Sequence, residues 1–206
     1  MNEVILKGQI RDITSSHVIG GIEYDKANII TTRADGKEDI LSLKFKRFSN
    51  VYSDGDNIEL VGNLRSYSRK LDNDTSKVDL YVFTYFDTPS TDLENYADIS
   101  NQVTIDGRIC KIDKLRTTKN GKNNIHFILA NNIISFDQKL NNYIPSVAWG
   151  KLALSLADLR VSDKVQIKGQ LHSRTYKKIL PDGELELRTA HELVVNELEV
   201  LNERNI

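Results

Sequence analysis

Asn2-Glu3-Val4-Ile5-Leu6-Lys7-Gly8-Gln9-Ile10, near the start of the chain, returns as Asn101-Gln102-Val103-Thr104-Ile105-Asp106-Gly107-Arg108-Ile109. A second stretch repeats in the same order, since residues 58–64 read IELVGNL and residues 165–171 read VQIKGQL. The two offsets, about 99 and about 107 residues, are far longer than a solenoid repeat and typical of a whole domain. The sequence therefore predicts two similar domains in tandem.

The domain boundaries follow from the sequence between the repeats. Residues 87–96 are polar, non-periodic and interrupted by Pro89, which is typical of a linker. We therefore predict a first domain at 1–87, a linker at 88–100, a second domain at 101–201 and a short tail at 202–206. With 206 residues, 39% of them hydrophobic, the chain can bury one core in each half.

Apolar and polar residues alternate with a period of two in both halves, as at Val103, Ile105 and Ile109, which predicts β-strands. Turn sequences at 119–122 and 181–183 predict two hairpins. One short helix is expected in each domain, at 151–159 in the second and at the corresponding place, 48–56, in the first. The predicted fold class is all-β: two tandem five-stranded Greek-key barrels of the OB type, with an SH3-like barrel as the competing small β fold.

Four glycines interrupt the strand patterns, where a strongly bent barrel strand needs a residue without a Cβ. They are Gly8, Gly62, Gly107 and Gly169. The alternative for each is a β-bulge with no role in ligand binding.

Composition excludes several classes of function. The single cysteine, Cys110, and four scattered histidines fit neither a disulfide framework nor a multi-cysteine zinc site. Sequence signatures of a phosphate-binding loop, a zinc protease or a nucleophile elbow are missing, so we expect no enzyme, no cofactor and no metal. No N-terminal signal or apolar run of about 18 residues is present, which predicts a cytoplasmic protein without a membrane span. Residues 1–98 carry a net charge of −5 and residues 99–206 a net charge of +4, which directs a polyanion to the second half first.

Four runs in the second half, read in order, resemble the bacterial single-stranded DNA-binding proteins. They are residues 115–122, 127–130, 143–153 and 169–176. The resemblance covers about residues 101–200, and the first half looks like a diverged copy. The whole chain is similar to the two-OB-domain members of that family. This implies non-sequence-specific binding and protection of single-stranded DNA, without chemistry, in DNA replication, recombination or repair.

Such binding requires aromatic faces for base stacking, interleaved with cations that follow the phosphates. In the second half the predicted DNA-binding residues are Trp149, Tyr143, Tyr176, Phe136, Arg116, Arg174, Arg108, Lys119, Lys151 and Lys177. The first half offers a poorer version, Phe45, Arg47, Tyr67 and Arg65. Tyr81, Phe83 and Tyr85 alternate along one strand, so one parity belongs to the core and none is assigned to binding.

The strand at 143–149 leaves the direction of its aromatics open. Tyr143 and Trp149 share parity with two further apolar residues, whereas Ile144, Ser146 and Ala148 form the opposite face. Periodicity alone would bury the larger set. The resemblance implies the reverse, with the aromatics facing the DNA.

Family members commonly place four OB folds in one assembly, so the resemblance implies a homodimer, associated with the nucleoid. The chain ends at residues 201–206 without an acidic tail that carries an apolar tip. Recruitment of replication or repair enzymes through such a tail is therefore not expected, and an accessory, phage or mobile-element form fits. Two alternatives stay open: an OB-fold interaction or assembly subunit with little nucleic-acid binding, and an RNA-binding regulator.

Overall fold

The computed structural model describes residues 1–47, 52–70, 76–89, 100–135, 138–180 and 183–201. The first half contains the strands β1 (Asn2–Ile19), β2 (Ile22–Thr32), β3 (Glu38–Lys46), β4 (Asn57–Lys70) and β5 (Ser76–Pro89). The second half contains β6 (Asn101–Ile112), β7 (Arg116–Thr117), β8 (Asn123–Ser135), β9 (Gln138–Trp149), α1 (Gly150–Ser155), β10 (Lys164–Ile179) and β11 (Leu185–Val200). Of the predicted linker 88–100, Thr88 and Pro89 belong to β5 and Ser100 directly precedes β6. Residues 90–99 and the predicted tail 202–206 lie outside the described residues.

Each half closes into a five-stranded Greek-key barrel of the OB type, as the sequence predicts. In the first barrel, β1 pairs with both β2 and β4, and β5 joins β4 to β3. In the second barrel, β6 pairs with both β8 and β10, and β11 joins β10 to β9. The short strand β7 adds to β8 outside the ring. The closing contacts β3–β5 and β9–β11 are the two parallel pairs.

The sequence repeat corresponds to the same core in both barrels. Val4, Leu6 and Ile10 are buried on β1, and Val103, Ile105 and Ile109 are buried at the matching positions of β6. Burial on alternate residues removes one apolar face of each strand from water, at about 25 cal/mol per Å² of apolar surface. The period-two pattern therefore encodes which face of each strand points inward.

Gly107 and Gly169 mark places where two strands approach too closely for a side chain. A Cβ on Gly107 would lie 2.6 Å from the carbonyl oxygen of Ala130, and one on Gly169 would overlap the carbonyl oxygen of Val194. Gly169 also follows a shift in the register between β10 and β11, which is a β-bulge. The glycines therefore serve the bending of the barrel strands.

The two predicted hairpins are present. The turn after β7 is closed by bonds from the Thr118 amide to the Lys122 carbonyl at 2.9 Å and from Gly121 back to Thr118 at 2.9 Å. The β10–β11 hairpin is closed by the Leu180 amide donating to the Glu184 carbonyl at 2.8 Å. Pro181 and Asp182, at its tip, lie outside the described residues.

The helix predictions need correction. The helix expected at 151–159 ends at Ser155, where the serine hydroxyl donates to the Leu152 carbonyl at 2.8 Å, a local bond that competes with helix continuation. In the first half, residues 48–51 lie outside the described residues and residues 52–56 form a turn instead of a helix. The carboxylate of Asp54 in that turn accepts the backbone amides of Asp12 and Ile13.

β1 and β6 pair with each other and join the two barrels. Their antiparallel register sets Val4 opposite Val103, which are equivalent residues of the repeat. A pseudo-two-fold axis therefore passes through this pairing, because equivalent positions of the two barrels face each other, as they do in an isologous interface.

Asn2 and Asn101, the first residues of the repeats, perform the same role in each barrel. The side-chain nitrogen Nδ2 of Asn101 donates to the Leu171 carbonyl at 2.6 Å, and its side-chain oxygen Oδ1 accepts a bond from the Leu171 backbone amide at 2.9 Å. Asn2 makes the corresponding pair of bonds with Leu64, at 2.9 and 2.8 Å. Each asparagine side chain thus extends the ladder between two strands of its barrel at a point where backbone groups would otherwise be buried unpaired.

Two further contacts between the barrels are related by the same pseudo-symmetry. The Ser173 hydroxyl accepts the Ile40 amide at 2.9 Å, and the Ser66 hydroxyl accepts the Tyr143 amide at 2.8 Å. The Ser173 amide donates to the Asp39 carboxylate at 2.5 Å, whereas the Ser66 amide donates to the Asn142 side chain at 3.0 Å. One end of the junction is therefore ionic and the other neutral.

The ionic end contains a buried carboxylate and a partly buried histidine. Asp39 is fully buried and pairs with Arg33 at 2.5 Å. His172 lies beside this pair, and burial followed by the charge of Arg33 lowers the pKa of its imidazole, against the opposing charges of Asp39 and Asp35. Both effects disfavour the charged imidazolium relative to the neutral imidazole.

No helix in the part of the chain that the structure describes has the length and apolar character needed to span a membrane.

We predict that Gly169→Ala lowers the free energy of unfolding by about 3 kcal/mol, because the new Cβ forces β10 and β11 apart. Urea denaturation measures this change. Lys168→Ala is the matched control at the neighbouring position: it removes an exposed ion pair with Glu197 and should cost less than about 1 kcal/mol. Equal losses in the two variants would contradict the close-approach explanation.

We also predict that stability falls as the pH drops below the ordinary histidine pKa of 6.5. The unfolded chain protonates His172 at a higher pH than the folded chain does, so protonation favours unfolding as the pH falls toward the folded-state pKa. The slope is at most about 1.4 kcal/mol per pH unit for this one proton. His172→Leu should reduce this slope in urea titrations between about pH 5 and 7 and leave the part contributed by His191, whose pKa burial also lowers. An unchanged slope would contradict the prediction.

Candidate nucleic-acid interface

The outward face of β9 carries the aromatics. Ile144, Ser146 and Ala148 are buried inside the second barrel, whereas Tyr143 is 43% exposed and Trp149 is partly exposed. The two aromatics therefore take the direction implied by the resemblance and not the one expected from periodicity alone, although Val147, which shares their parity, is also buried. The interior beside β9 is filled by Ile125, Phe127 and Leu129 of the neighbouring strand β8, so β9 contributes its smaller side chains to the core.

Trp149 lies beside a cationic hairpin. The Lys122 ammonium is 5.3 Å from the centre of the indole ring, within the range of a cation–π contact. Arg116, Asn124 and Trp149 occupy one row across β7, β8 and β9, so Arg116 is about 10 Å from Trp149 by strand spacing. Lys119 in the hairpin turn and Lys151 at the start of α1 are exposed, and with Trp149, Lys122 and Arg116 they form what we call the hairpin platform.

Arg174 and Tyr176 form a second group on β10, with the guanidinium 6.0 Å from the phenol ring. Lys177 is exposed on the next position. Tyr176 stands opposite Arg188 of β11, so this group occupies the arm of the β10–β11 hairpin. It is separate in the fold from the hairpin platform.

The other predicted residues of the second half are dispersed. Tyr143 lies at the junction between the barrels, because its amide bonds to Ser66. The Arg108 guanidinium donates to the Ser162 carbonyl at 3.0 Å, which gives it a local structural contact. Phe136 lies outside the described residues.

Two of the four residues predicted in the first half are buried, which corrects their assignment to a binding surface. Phe45 is 7% exposed because it continues the inward row of Leu41 and Leu43 on β3. Arg65 is 8% exposed, and its guanidinium stacks 3.9 Å from the centre of the Phe83 ring. The Phe45 ring cannot meet a base without leaving the barrel core, and the Arg65 guanidinium cannot do so without leaving its stacked position on Phe83.

The remaining two differ from each other. Arg47 is exposed but held by carboxylates, with Asp25 at 2.5 Å and a second contact to Glu23. Tyr67 is 60% exposed on β4 and keeps its ring in water. Of the four, Tyr67 is the residue whose position suits base stacking.

Tyr67 borders a groove of about 780 Å³ on the first barrel, which the sequence did not predict. Lys26, Lys44 and Tyr81 also line this first-barrel groove, and the Lys44 ammonium is 4.4 Å from the centre of the Tyr81 ring. Burial, followed by the charge of Lys26, lowers the pKa of Lys44. Cations and rings of the kind used in single-strand binding therefore meet here, beside the carboxylates of Asp12 and Asp79.

A signal for this groove existed in the sequence. Lys44 has the outward parity of β3, opposite to Phe45, and Tyr81 alternates with the buried Leu80 and Val82 on β5. The period-two pattern shows which face of its strand each side chain occupies, but it does not show that the two side chains are in contact. That contact depends on the parallel pairing of β3 and β5, two segments far apart in the chain. The equivalent groove on the second barrel is much smaller, about 110 Å³.

Comparison with known proteins relates this geometry to one family. A model of the single-strand binding protein family matches residues 100–201. The whole chain has the fold of the wild-type single-stranded DNA binding protein from Thermus aquaticus, with a TM-score of 0.73, 19% identity and coverage of 100% of this chain and 95% of that chain. A deletion mutant of the same Thermus aquaticus protein gives a TM-score of 0.72 and 20% identity, with coverage of 99% and 96%.

No curated protein matches the chain by sequence. The family match covers the barrel that carries the hairpin platform, and the structural similarity extends over both barrels. Residues 100–201, the second barrel, match the single-strand binding protein family, and both barrels are OB folds.

Proposed function

We propose that this protein binds single-stranded DNA without sequence preference and protects it during replication, recombination or repair. The observation that carries the proposal is the outward indole of Trp149 with the Lys122 ammonium at 5.3 Å. A base can stack on such a ring because every base has a π face, which is the reason that this mode of binding tolerates any sequence. We expect the exposed cations nearby, Lys119, Lys151 and Arg116, to neutralise phosphates, with Arg116 exchanging its 3.7 Å contact to Asp113 for a phosphate.

The mechanism is binding alone, with no bond made or broken in the nucleic acid. Stacking on Trp149, and on Tyr143 and Tyr176 where the strand passes them, contributes about 1 to 3 kcal/mol per base. Arg174 and Lys177 add contacts to phosphates along the β10–β11 arm. Because phosphate contacts release counterions, the affinity falls as salt rises.

The proposal includes a homodimer that brings four barrels together. It is supported by the arrangement within one chain, where two barrels already pair through β1 and β6 about a pseudo-two-fold axis. It also keeps the division into domains at 1–87 and 101–201 with a linker at 88–100, and a location in the cytoplasm at the nucleoid, where single strands arise.

We predict that oligo-dT quenches the emission of Trp149, the one tryptophan of the chain, and that rising salt weakens the effect. Trp149→Ala should weaken the binding of a fluorescein-labelled oligo-dT, followed by anisotropy, by about 5- to 150-fold, as the loss of one stacked base requires. Val200→Ala, at an exposed position far along β11, is the control and should bind as the wild type does.

Unchanged emission together with unchanged anisotropy would favour the interaction or assembly subunit over DNA binding. Competition between DNA and RNA oligomers of one sequence tests the remaining alternative, since tighter binding of the RNA would favour the RNA-binding regulator.

We predict a mass of twice 23.4 kDa from light scattering of the full chain. Addition of single-stranded DNA should not dissociate this dimer. A mass equal to one chain at all concentrations tested would contradict the four-barrel assembly and leave the binding proposal intact.

A further inference from the structure

The turn after β7 contains Asn120 followed by Gly121, the one Asn-Gly pair of the chain. Both residues are exposed, and they stand between Lys119 and Lys122 of the hairpin platform. A Cβ on Gly121 would meet no atom within 4 Å, so nothing beyond its chain neighbours crowds this glycine. Asparagine is a thermolabile residue, and the hairpin platform carries this one at its tip.

Asn123 and Asn120, both in this hairpin, differ in how their side chains are held. The Asn123 side-chain oxygen accepts a bond from the Thr117 hydroxyl at 2.8 Å. No residue in the part of the chain that the structure describes holds the Asn120 side chain in this way. The Asn120 side chain can therefore rotate toward the backbone nitrogen of Gly121.

Intramolecular chemistry between Asn120 and Gly121 removes the side-chain amide. The backbone nitrogen of Gly121 attacks the side-chain carbonyl carbon of Asn120, and the new C–N bond closes a five-membered succinimide. The side-chain nitrogen leaves as ammonia with the proton of the backbone nitrogen. Water then adds to one of the two ring carbonyls and breaks its C–N bond, which gives an aspartate or an isoaspartate. One water is consumed and one ammonia released, with no oxidant or reductant. Glycine favours the closure because it brings no Cβ against the ring.

One backbone bond opposes this reaction. The Gly121 amide donates to the Thr118 carbonyl at 2.9 Å, and this bond must open before the nitrogen can attack. Hydrogen bonds at an exposed hairpin tip open at a much lower free energy than those of core strands. The turn therefore slows the reaction without preventing it.

The first barrel shows what a carboxylate does at this position. Its β2–β3 turn, residues 33–37, has the same two bonds, from the Arg33 amide to the Lys37 carbonyl at 2.8 Å and from the Gly36 amide to the Arg33 carbonyl at 2.9 Å. Asp35 occupies the place of Asn120, and its carboxylate contacts the Lys37 ammonium at 2.7 Å. An aspartate thus fits the turn, and it pairs with the lysine two positions on.

We propose that Asn120 is a site of spontaneous deamidation, and that the new carboxylate draws Lys122 away from Trp149 and weakens the binding of single-stranded DNA. Lys122 has the position of Lys37 relative to this carboxylate, and its ammonium lies 5.3 Å from the centre of the indole ring. The consequence for DNA rests on the proposed function, whereas the reaction itself does not. The protein does not restore the amide, so its affinity falls with the age of the molecule.

The size of the loss follows from one phosphate contact. A lysine that is paired with a neighbouring carboxylate no longer neutralises a phosphate. Each contact to a single strand contributes about 0.7 to the slope of log affinity against log salt, so its loss weakens binding about fivefold at about 0.1 M salt. The difference should disappear as the salt approaches about 1 M.

The first measurement follows the reaction itself. The full chain is incubated without DNA at mildly alkaline pH, and the peptide that spans residues 115–125 is analysed by mass spectrometry over time. Asn120 should convert to aspartate and isoaspartate, whereas Asn124 of the same peptide, which is 6% exposed on β8, should stay intact. Asn120→Gln lengthens the side chain by one methylene, which disfavours the five-membered ring, so this variant should stay unmodified.

The second measurement is the anisotropy of labelled oligo-dT with freshly prepared variants. Asn120→Asp should bind about fivefold more weakly than the wild type at about 0.1 M salt, and Asn120→Gln should bind as the wild type does. Asn196→Asp adds the same charge at an exposed position of β11 outside the hairpin platform, and should differ from the wild type by less than about twofold. In a Lys122→Ala background, Asn120→Asp should have no further effect.

An Asn120 that stays intact as long as Asn124 overturns the modification site and leaves the proposed function untouched. Equal affinities of Asn120→Asp and Asn196→Asp overturn the consequence for DNA. An undiminished effect of Asn120→Asp in the Lys122→Ala background overturns the part assigned to Lys122. If the wild type binds no oligo-dT, the proposed function and the consequence for DNA fail together, and the peptide analysis still decides the modification.

Discussion

Backbone pairing between β1 and β6 is the constraint on which the arrangement of this protein depends. Each of the two strands also pairs with two neighbours in its own barrel. Without the pairing between β1 and β6, one edge of the segments Asn2–Leu6 and Asn101–Ile105 would be open. Open edges favour pairing with other chains. In this protein each of the two open edges pairs with the other. Because the two segments are equivalent parts of the sequence repeat, the junction is pseudo-symmetric.

That junction decides what the two barrels offer to a ligand. It brings Ser173 against Ile40 and Ser66 against Tyr143, so the long hairpin of the second barrel leans over the first. The pseudo-symmetry is incomplete, because Asp39 with its arginine occupies one end and Asn142 the other. The surfaces of the two barrels differ as well: the first-barrel groove holds about 780 Å³, and the pocket lined by Lys111 and Phe127 on the second barrel holds about 110 Å³. A duplicated fold has thus acquired two unequal surfaces.

Much of the fold could be predicted because its determinants are local. Alternation sets which side of a strand is buried, and turn residues such as Gly121 fix a hairpin within four positions. The site was less accessible to such reasoning. The sequence positions of Phe45 and Arg65, among cations and rings, suggested binding residues. In the structure Phe45 belongs to the core and Arg65 is buried by stacking on Phe83. A helix was expected at residues 48–56, but the described part of that segment, residues 52–56, is a turn in which Asp54 caps two amides of β1.

The sequence by itself determined two barrels of one kind, the inward faces of strands such as β1 and β6, and the family resemblance of the second barrel. These properties follow from repeats and periods that a chain carries along its own length. Only the tertiary structure decided three contacts. The Lys44 ammonium lies over the Tyr81 ring, and the Lys122 ammonium lies over the outward-facing ring of Trp149. His191 lines a groove of the other barrel. Those meetings join residues from separate strands, in one case more than a hundred positions apart, and packing of closed sheets sets them rather than any local preference.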